Sequence, residues 1–148
     1  MTAWDGYHDD MESPACILIV EDDESVRLSL SLLLETLGLT VVSTSSGTEA
    51  LAAMTRRFDI FLIDMGLPDM DGTTLAMRLR RIAPATPAII MSADHDRLRN
   101  AAPLAVCLLE KPISAHAMTR AIRDAAPNAL MLPSVGARQA DGLRPPAV

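Results

Sequence analysis

Five short apolar runs, each followed by a longer stretch of helical period, constrain this chain more than any other feature. The runs fall at 16–20, 39–42, 60–63, 88–91 and 104–109. The first, Cys16-Ile17-Leu18-Ile19-Val20, contains no polar residue, as expected of a strand covered on both faces. The stretch after it places Val26, Leu30, Leu33 and Leu37 on one helical face, with Gly38 at the stopping position. This predicts a helix over 25–37. The same reading predicts helices over 47–55 and 73–82, a weak one over 96–101, and a last one capped by Ser114 and running to 125. Five strand–helix alternations call for an α/β fold, a doubly wound five-stranded parallel sheet with helices on both faces.

The chain's 148 residues suit one domain with flanking segments. Residues 1–14 carry four acids and no Lys or Arg, and read as a disordered acidic arm rather than a signal peptide. Residues 15–126 hold the rhythm of strands and helices. Residues 127–148 hold four prolines and two glycines, with little periodic pattern, and read as a mobile tail too short for an output domain. A net charge of −6 argues against coating nucleic acid, whose binding draws on clustered Lys and Arg. Aromatic residues at 3% leave little for base stacking. No apolar run approaches the ~18 residues of a membrane span, and the expected compartment is the cytoplasm. Cys16 and Cys107 lie in apolar runs and read as buried thiols of a reducing compartment, not as metal ligands. His8, His95 and His116 read as exposed and inert.

In such sheets ligands bind beyond the carboxyl ends of the strands. Here those ends carry Glu21, Asp22, Asp23 and Glu24 after the first strand, Asp64 after the third, Ser92 after the fourth, and Glu110, Lys111 and Pro112 after the fifth. Converging carboxylates repel one another, and either take up protons or hold a dication. Oxygen ligands without His or Cys suit Mg2+. Lys111 is the single lysine beside twelve arginines, which marks it for work needing a compact ammonium. Carboxylates, a metal, a lysine and the Ser92 hydroxyl form a phosphoryl-transfer constellation, with Asp64 as nucleophile.

The runs Ile17-Leu18-Ile19-Val20-Glu21-Asp22, Phe58-Asp59-Ile60-Phe61-Leu62-Ile63-Asp64-Met65-Gly66-Leu67-Pro68 and Glu110-Lys111-Pro112 resemble, in order, those of a bacterial response-regulator receiver domain. The resemblance covers about residues 15–126. It implies a flavodoxin-like sheet of order 2-1-3-4-5, a phosphoacceptor at Asp64, and Mg2+ held by Asp22, Asp64 and the Gly66 main-chain carbonyl, with Glu21 reaching the metal through water. It implies that Ser92 and Lys111 contact the phosphoryl group, and that the Lys111–Pro112 bond is cis. The expected partners are a sensor histidine kinase or histidine phosphotransfer protein and a downstream protein target, with no direct nucleic acid or membrane. The expected protein is a stand-alone regulator that signals by phosphorylation-dependent protein contact or onward phosphotransfer, self-phosphorylating and self-dephosphorylating rather than a turnover enzyme.

Asp23 and Glu24 read as helix-capping acids, and Asp69 and Asp71 as turn and cap residues. Asp94, two residues past Ser92, is a candidate contact for the water that hydrolyses the phosphoryl group. The sequence also departs from the family. Leu108 stands where many members carry Tyr or Phe, and residues 93–104 leave little room for a fourth helix, which is expected to be short or irregular. These departures keep open a pseudo-receiver, a binding module that is never phosphorylated. A haloacid-dehalogenase-like phosphatase needs a second Asp two residues after the nucleophile, and position 66 is Gly. A flavin-binding flavodoxin is disfavoured because no phosphate loop follows the first strand.

Overall fold

A computed structural model describes residues 14–105 and 107–130. The elements run in chain order as β1 (Cys16–Val20), α1 (Glu24–Thr36), β2 (Thr40–Thr44), α2 (Gly47–Ala52), β3 (Ile60–Asp64), α3 (Gly72–Ile82), β4 (Ala88–Ser92), α4 (His95–Ala101), β5 (Cys107–Glu110) and α5 (Ala115–Ala125). The strands form one parallel sheet in the order β2-β1-β3-β4-β5.

Side chains alternate across the sheet, so each central strand feeds two cores. Ile17, Ile19, Ile60, Leu62, Ile89 and Met91 face α1 and α5, which contribute Leu30, Leu34, Met118 and Ile122. Leu18, Val20, Phe61, Ile63 and Ile90 face α2, α3 and α4, which contribute Ala50, Leu75, Leu79, Leu98 and Ala101. Every residue of β1 and β3 is buried, whereas β5 at the edge is half covered. Truncating a wholly buried position such as Leu62 to Ala costs about 2–5 kcal/mol, because the packed neighbours collapse only partly into the gap.

The helix ends follow from short polar residues. Asp23 caps α1, Ser46 caps α2, Asp71 caps α3, Asp94 caps α4 and Ser114 caps α5, each accepting from a main-chain N–H of the first turn. Gly38, with φ 93°, takes the left-handed conformation that turns the chain from α1 into β2.

Three elements depart from the sequence reading by more than one residue at an end. β2 lies at Thr40–Thr44 rather than 39–42, because its polar end is drawn into register with Ile19 and Val20 of β1. α2 stops at Ala52, and the three residues after it form a turn rather than completing a helix to 55. β5 begins at Cys107 rather than 104, since Ala102–Leu104 continue α4 as a 3-10 turn around Pro103. The fourth helix is short, as expected. Packing also continues past residue 126: 127–130 form a turn, Ala129 is buried, and Leu130 packs against the α1/α5 core. The rest of the expected tail and the arm through residue 13 lie outside the described residues. Among the described residues, no helix is long and apolar enough to cross a membrane.

Candidate functional site

The carboxyl ends of β1, β3 and β5 put acidic and basic residues where the sheet runs out of apolar cover. Glu21 follows β1 and is only 1% exposed; Asp64 ends β3 and is 6% exposed. Asp22 beside them is exposed. One carboxylate oxygen from each of the three falls within 4.8 Å of the others, a spacing that allows a shared cation. The donors are all hard oxygens, the set that suits Mg2+ rather than zinc or copper.

Lys111 arrives from the end of β5, where its N–H is pinned to the Ser92 carbonyl at 2.9 Å. Its Nζ donates to Glu21 Oε1 at 2.7 Å and lies 2.9 Å from Asp64 Oδ1. The Lys111–Pro112 peptide is cis. Burial pushes the Glu21 carboxyl above its ordinary value, and the hydrogen bond from Lys111 offsets this only in part. Burial pulls the Lys111 ammonium down, but its bonds to Glu21 and Asp64 outweigh that and leave it raised. The direction for Lys111 follows directly from the two short contacts, so the ammonium is held charged between two carboxylates.

Asp64 Oδ2 accepts the Gly66 N–H at 3.2 Å, which turns the carboxylate toward the following loop. Gly66 is thus placed beside Asp64 through its N–H; an added Cβ there would meet Asp64 Oδ2 at an ordinary 3.6 Å. Gly72 is different. A Cβ on it would come within 2.7 Å of the Asp64 carbonyl oxygen and the Met65 Cα, so glycine lets α3 start against the backbone of the acceptor strand.

Ser92 is buried at the end of β4, opposite Glu110 of β5. Its Oγ accepts the Asp94 N–H at 2.9 Å, and so holds the start of α4. Asp94 Oδ1 accepts the N–H groups of Asp96 and Arg97, so one of its carboxylate oxygens caps α4. Asp23 accepts from Val26 N–H and Ser25 Oγ. Asp71 caps its own helix through Thr73. Asp69 caps a different one: it accepts from the N–H groups of Gly47 and Thr48 at 2.9 and 2.8 Å, and from Thr48 Oγ1. These bonds, the Thr48 hydroxyl foremost, lower its carboxyl from 3.8 to about 2.

Two arginines reach the site region that the sequence pattern left without a role. Arg27 Nη1 donates to the Glu21 carbonyl at 2.9 Å. Arg97 Nη2 donates to the Met65 carbonyl at 3.1 Å and pairs with Asp71 at 3.3 Å. Arg27 reaches back only six residues across the turn from β1 into α1, whereas the Arg97 contact depends on two loops 32 residues apart converging. Both cysteines are free; Cys16 is buried as expected, but Cys107, on the edge strand, is half-buried. His95 and His116 are exposed, and His95 Nδ1 lies 3.7 Å from Glu110 Oε1, while His8 is outside the described residues.

A 2-1-3-4-5 parallel sheet with carboxylates and a lysine gathered at the ends of β1, β3 and β5 is the architecture of a signalling receiver. Residues 17–123 match the family described as response regulator receiver domain, and the chain belongs to that family, whose members serve two-component signalling. It is 32% identical over 117 residues to the transcriptional regulatory protein GlrR of Escherichia coli, covering 76% of this chain and 26% of the regulator. It is 33% identical over 121 residues to the sensor kinase CckA of Brucella abortus, covering 78% of this chain and 13% of the kinase. The chain therefore spans about a quarter or less of these relatives. A CheY-like response regulator receiver domain from Methylobacillus flagellatus superposes with a TM-score of 0.71 at 34% identity, covering 75% of this chain and 98% of that one. Receiver domains of this family generally bind Mg2+ at an acidic pocket, and Glu21, Asp22 and Asp64 form such a cluster here.

Proposed function

We propose that this chain takes a phosphoryl group from a phosphohistidine of a partner kinase or phosphotransfer protein onto Asp64. The observation that carries the reading is the position of Lys111 Nζ, 2.7 Å from Glu21 and 2.9 Å from Asp64, with Asp22 completing the acidic cluster. An Asp64 oxygen attacks phosphorus in line, the P–N bond of the donor breaks, and the imidazole leaves with the electron pair. Lys111 then holds the new phosphoryl oxygens as a compact donor, and rotation of Ser92 Oγ away from the Asp94 N–H would add a second. Asp22, Asp64 and the Gly66 carbonyl would hold Mg2+, with Glu21 behind them in the arrangement the family resemblance implies. The ion, when bound, neutralises charge on the transferring group. Hydrolysis of the acyl phosphate resets the protein, so it acts as a switch rather than a turnover enzyme.

The two-component readout is proposed as contact with another protein. The relatives carry their matching segments inside longer polypeptides, and the mass of this protein recovered from its native cells distinguishes a separate regulator from one with an attached output domain. The cytoplasm, where a kinase domain and its phosphodonors meet, is the compartment this role requires.

Incubation with a small-molecule phosphodonor and Mg2+ tests the central step. The wild-type protein is expected to gain one phosphoryl mass and Asp64→Asn none. Labelling that survives in the variant would move the acceptor elsewhere. No labelling of the wild type would favour a binding module that works without phosphorylation.

A further inference from the structure

The start of α4 is fastened to the residues around Asp64 at two points. Ser92 Oγ holds the Asp94 N–H at 2.9 Å. One turn on, Arg97 sends its guanidinium back over the loop of residues 65–71. Nη2 donates to the Met65 carbonyl at 3.1 Å and to Asp71 Oδ2 at 3.3 Å. Met65 is the residue after Asp64, and its carbonyl also accepts the Gly72 N–H at 3.1 Å. Asp71 is the cap of α3. Arg97 therefore grips the first and last residues of the loop that follows the acceptor.

The other contacts of α4 are of a different kind. Leu98 and Ala101 are buried against the sheet, where apolar packing is non-directional. His95 meets Glu110 at 3.7 Å between two exposed side chains, an arrangement worth little. A planar guanidinium engaged by a carbonyl and a carboxylate has a defined direction and a cost to break. When the loop moves, the helix is led by Arg97 rather than by its apolar face.

We propose that Arg97 is a positioning residue that makes α4 follow the 65–71 loop, so that the state of Asp64 is read as the position of the first turn of α4. The proposal rests on the phosphoacceptor reading above. Acquiring a phosphoryl group adds negative charge beside Met65 and draws neighbouring donors inward, and the half-buried Arg97 carries α4 with them.

Hydrogen exchange on the full chain, with and without Mg2+ and beryllium fluoride as phosphoryl mimic, tests this. In the wild type, amides of residues 65–71 and of 95–101 are both expected to change protection on adding the mimic. In Arg97→Gln the loop is expected to keep its change while the change in 95–101 is lost. Asp71→Asn, which retains an oxygen for the Thr73 N–H but loses the charge facing Arg97, is expected to show a smaller loss. A purely structural arginine would loosen α4 equally in both states and leave the ratio between them as in the wild type; that result would overturn the proposal. Absence of any response in the wild-type loop would instead bring down the phosphoacceptor reading, and this inference with it.

Discussion

The floor of the site and the loops around it are both rich in carboxylates, yet the protein treats the two groups in opposite ways. On the floor, Glu21 and Asp64 are withdrawn from water, and Glu21 is pushed above its ordinary value by burial. Around it, Asp23, Asp69 and Asp71 are exposed and lowered, chiefly by hydrogen bonds from helix starts and nearby hydroxyls. A carboxylate that satisfies a helix N-terminus is part of the scaffold, because its charge is already matched by oriented N–H groups. One held in the interior against another carboxylate depends on a cation. Lys111 supplies one such charge, and the geometry leaves room for a second.

Removing the floor's built-in cation should separate the two regions most sharply. Lys111→Met is expected to cost about 1–3 kcal/mol, below the full cost of breaking a buried pair because Glu21 can take up a proton instead. Added Mg2+ should recover part of that loss, since an ion that binds only the folded state stabilises it. Urea unfolding with and without Mg2+ measures both, and a loss insensitive to Mg2+ would break the distinction between floor and loops.

Gly72→Ala tests where the two regions meet. Its Cβ would be driven against the Asp64 carbonyl and the Met65 Cα, both main-chain atoms that cannot swing aside. A loss of about 1–3 kcal/mol is expected, together with slower phosphoryl uptake at Asp64. Thermal unfolding and a labelling time course would show it.

Asp69→Asn should act on the surrounding loops alone. Exchange of the Gly47 and Thr48 amides should rise, because their acceptor loses its charge. The fall in Tm should be smaller than for Lys111→Met, and phosphoryl uptake should persist. If uptake vanished instead, Asp69 would belong with the floor.

An acid titration followed by carboxyl NMR gives the smallest but most discriminating signal. Asp69 has a depressed folded value, so its contribution is present above the unfolded value of 3.8 and is lost as pH falls through about 2. Glu21 has a raised folded value, so the folded state binds its proton first, at a pH above 4.5, and ionising it weakens folding as pH rises. Titration of the two in the reverse order would refute the comparison.

The sequence made these two groups unequally legible. Glu21, Asp22, Asp64 and Lys111 could be read because each lies within two residues of the end of an apolar run, and a parallel sheet forces such positions onto one edge. β1 and the apolar body of β3 were readable for the same reason: burial on both faces leaves four or five unbroken apolar residues. β5 was not, since Leu104 packs as well in a 3-10 turn as in a strand, and only the geometry around Pro103 decides. The contacts made by Asp69 and Arg97 were invisible. Their partners lie 21 to 32 residues away, and the contacts exist only once the loops are assembled. Asp94 was read only from its offset to Ser92; that its Oδ1 also caps α4 shows only in the assembled backbone.

The claim on which the rest stands is that the oxygen accepting phosphorus belongs to Asp64. Borohydride reduces an acyl phosphate of aspartate to homoserine, leaving a permanent mark at the acceptor. After treatment with a phosphodonor and Mg2+, followed by borohydride and peptide mapping, homoserine is expected at position 64 and only when Mg2+ is present. Conversion at Asp22 or any other acid, or conversion indifferent to Mg2+, would contradict the account.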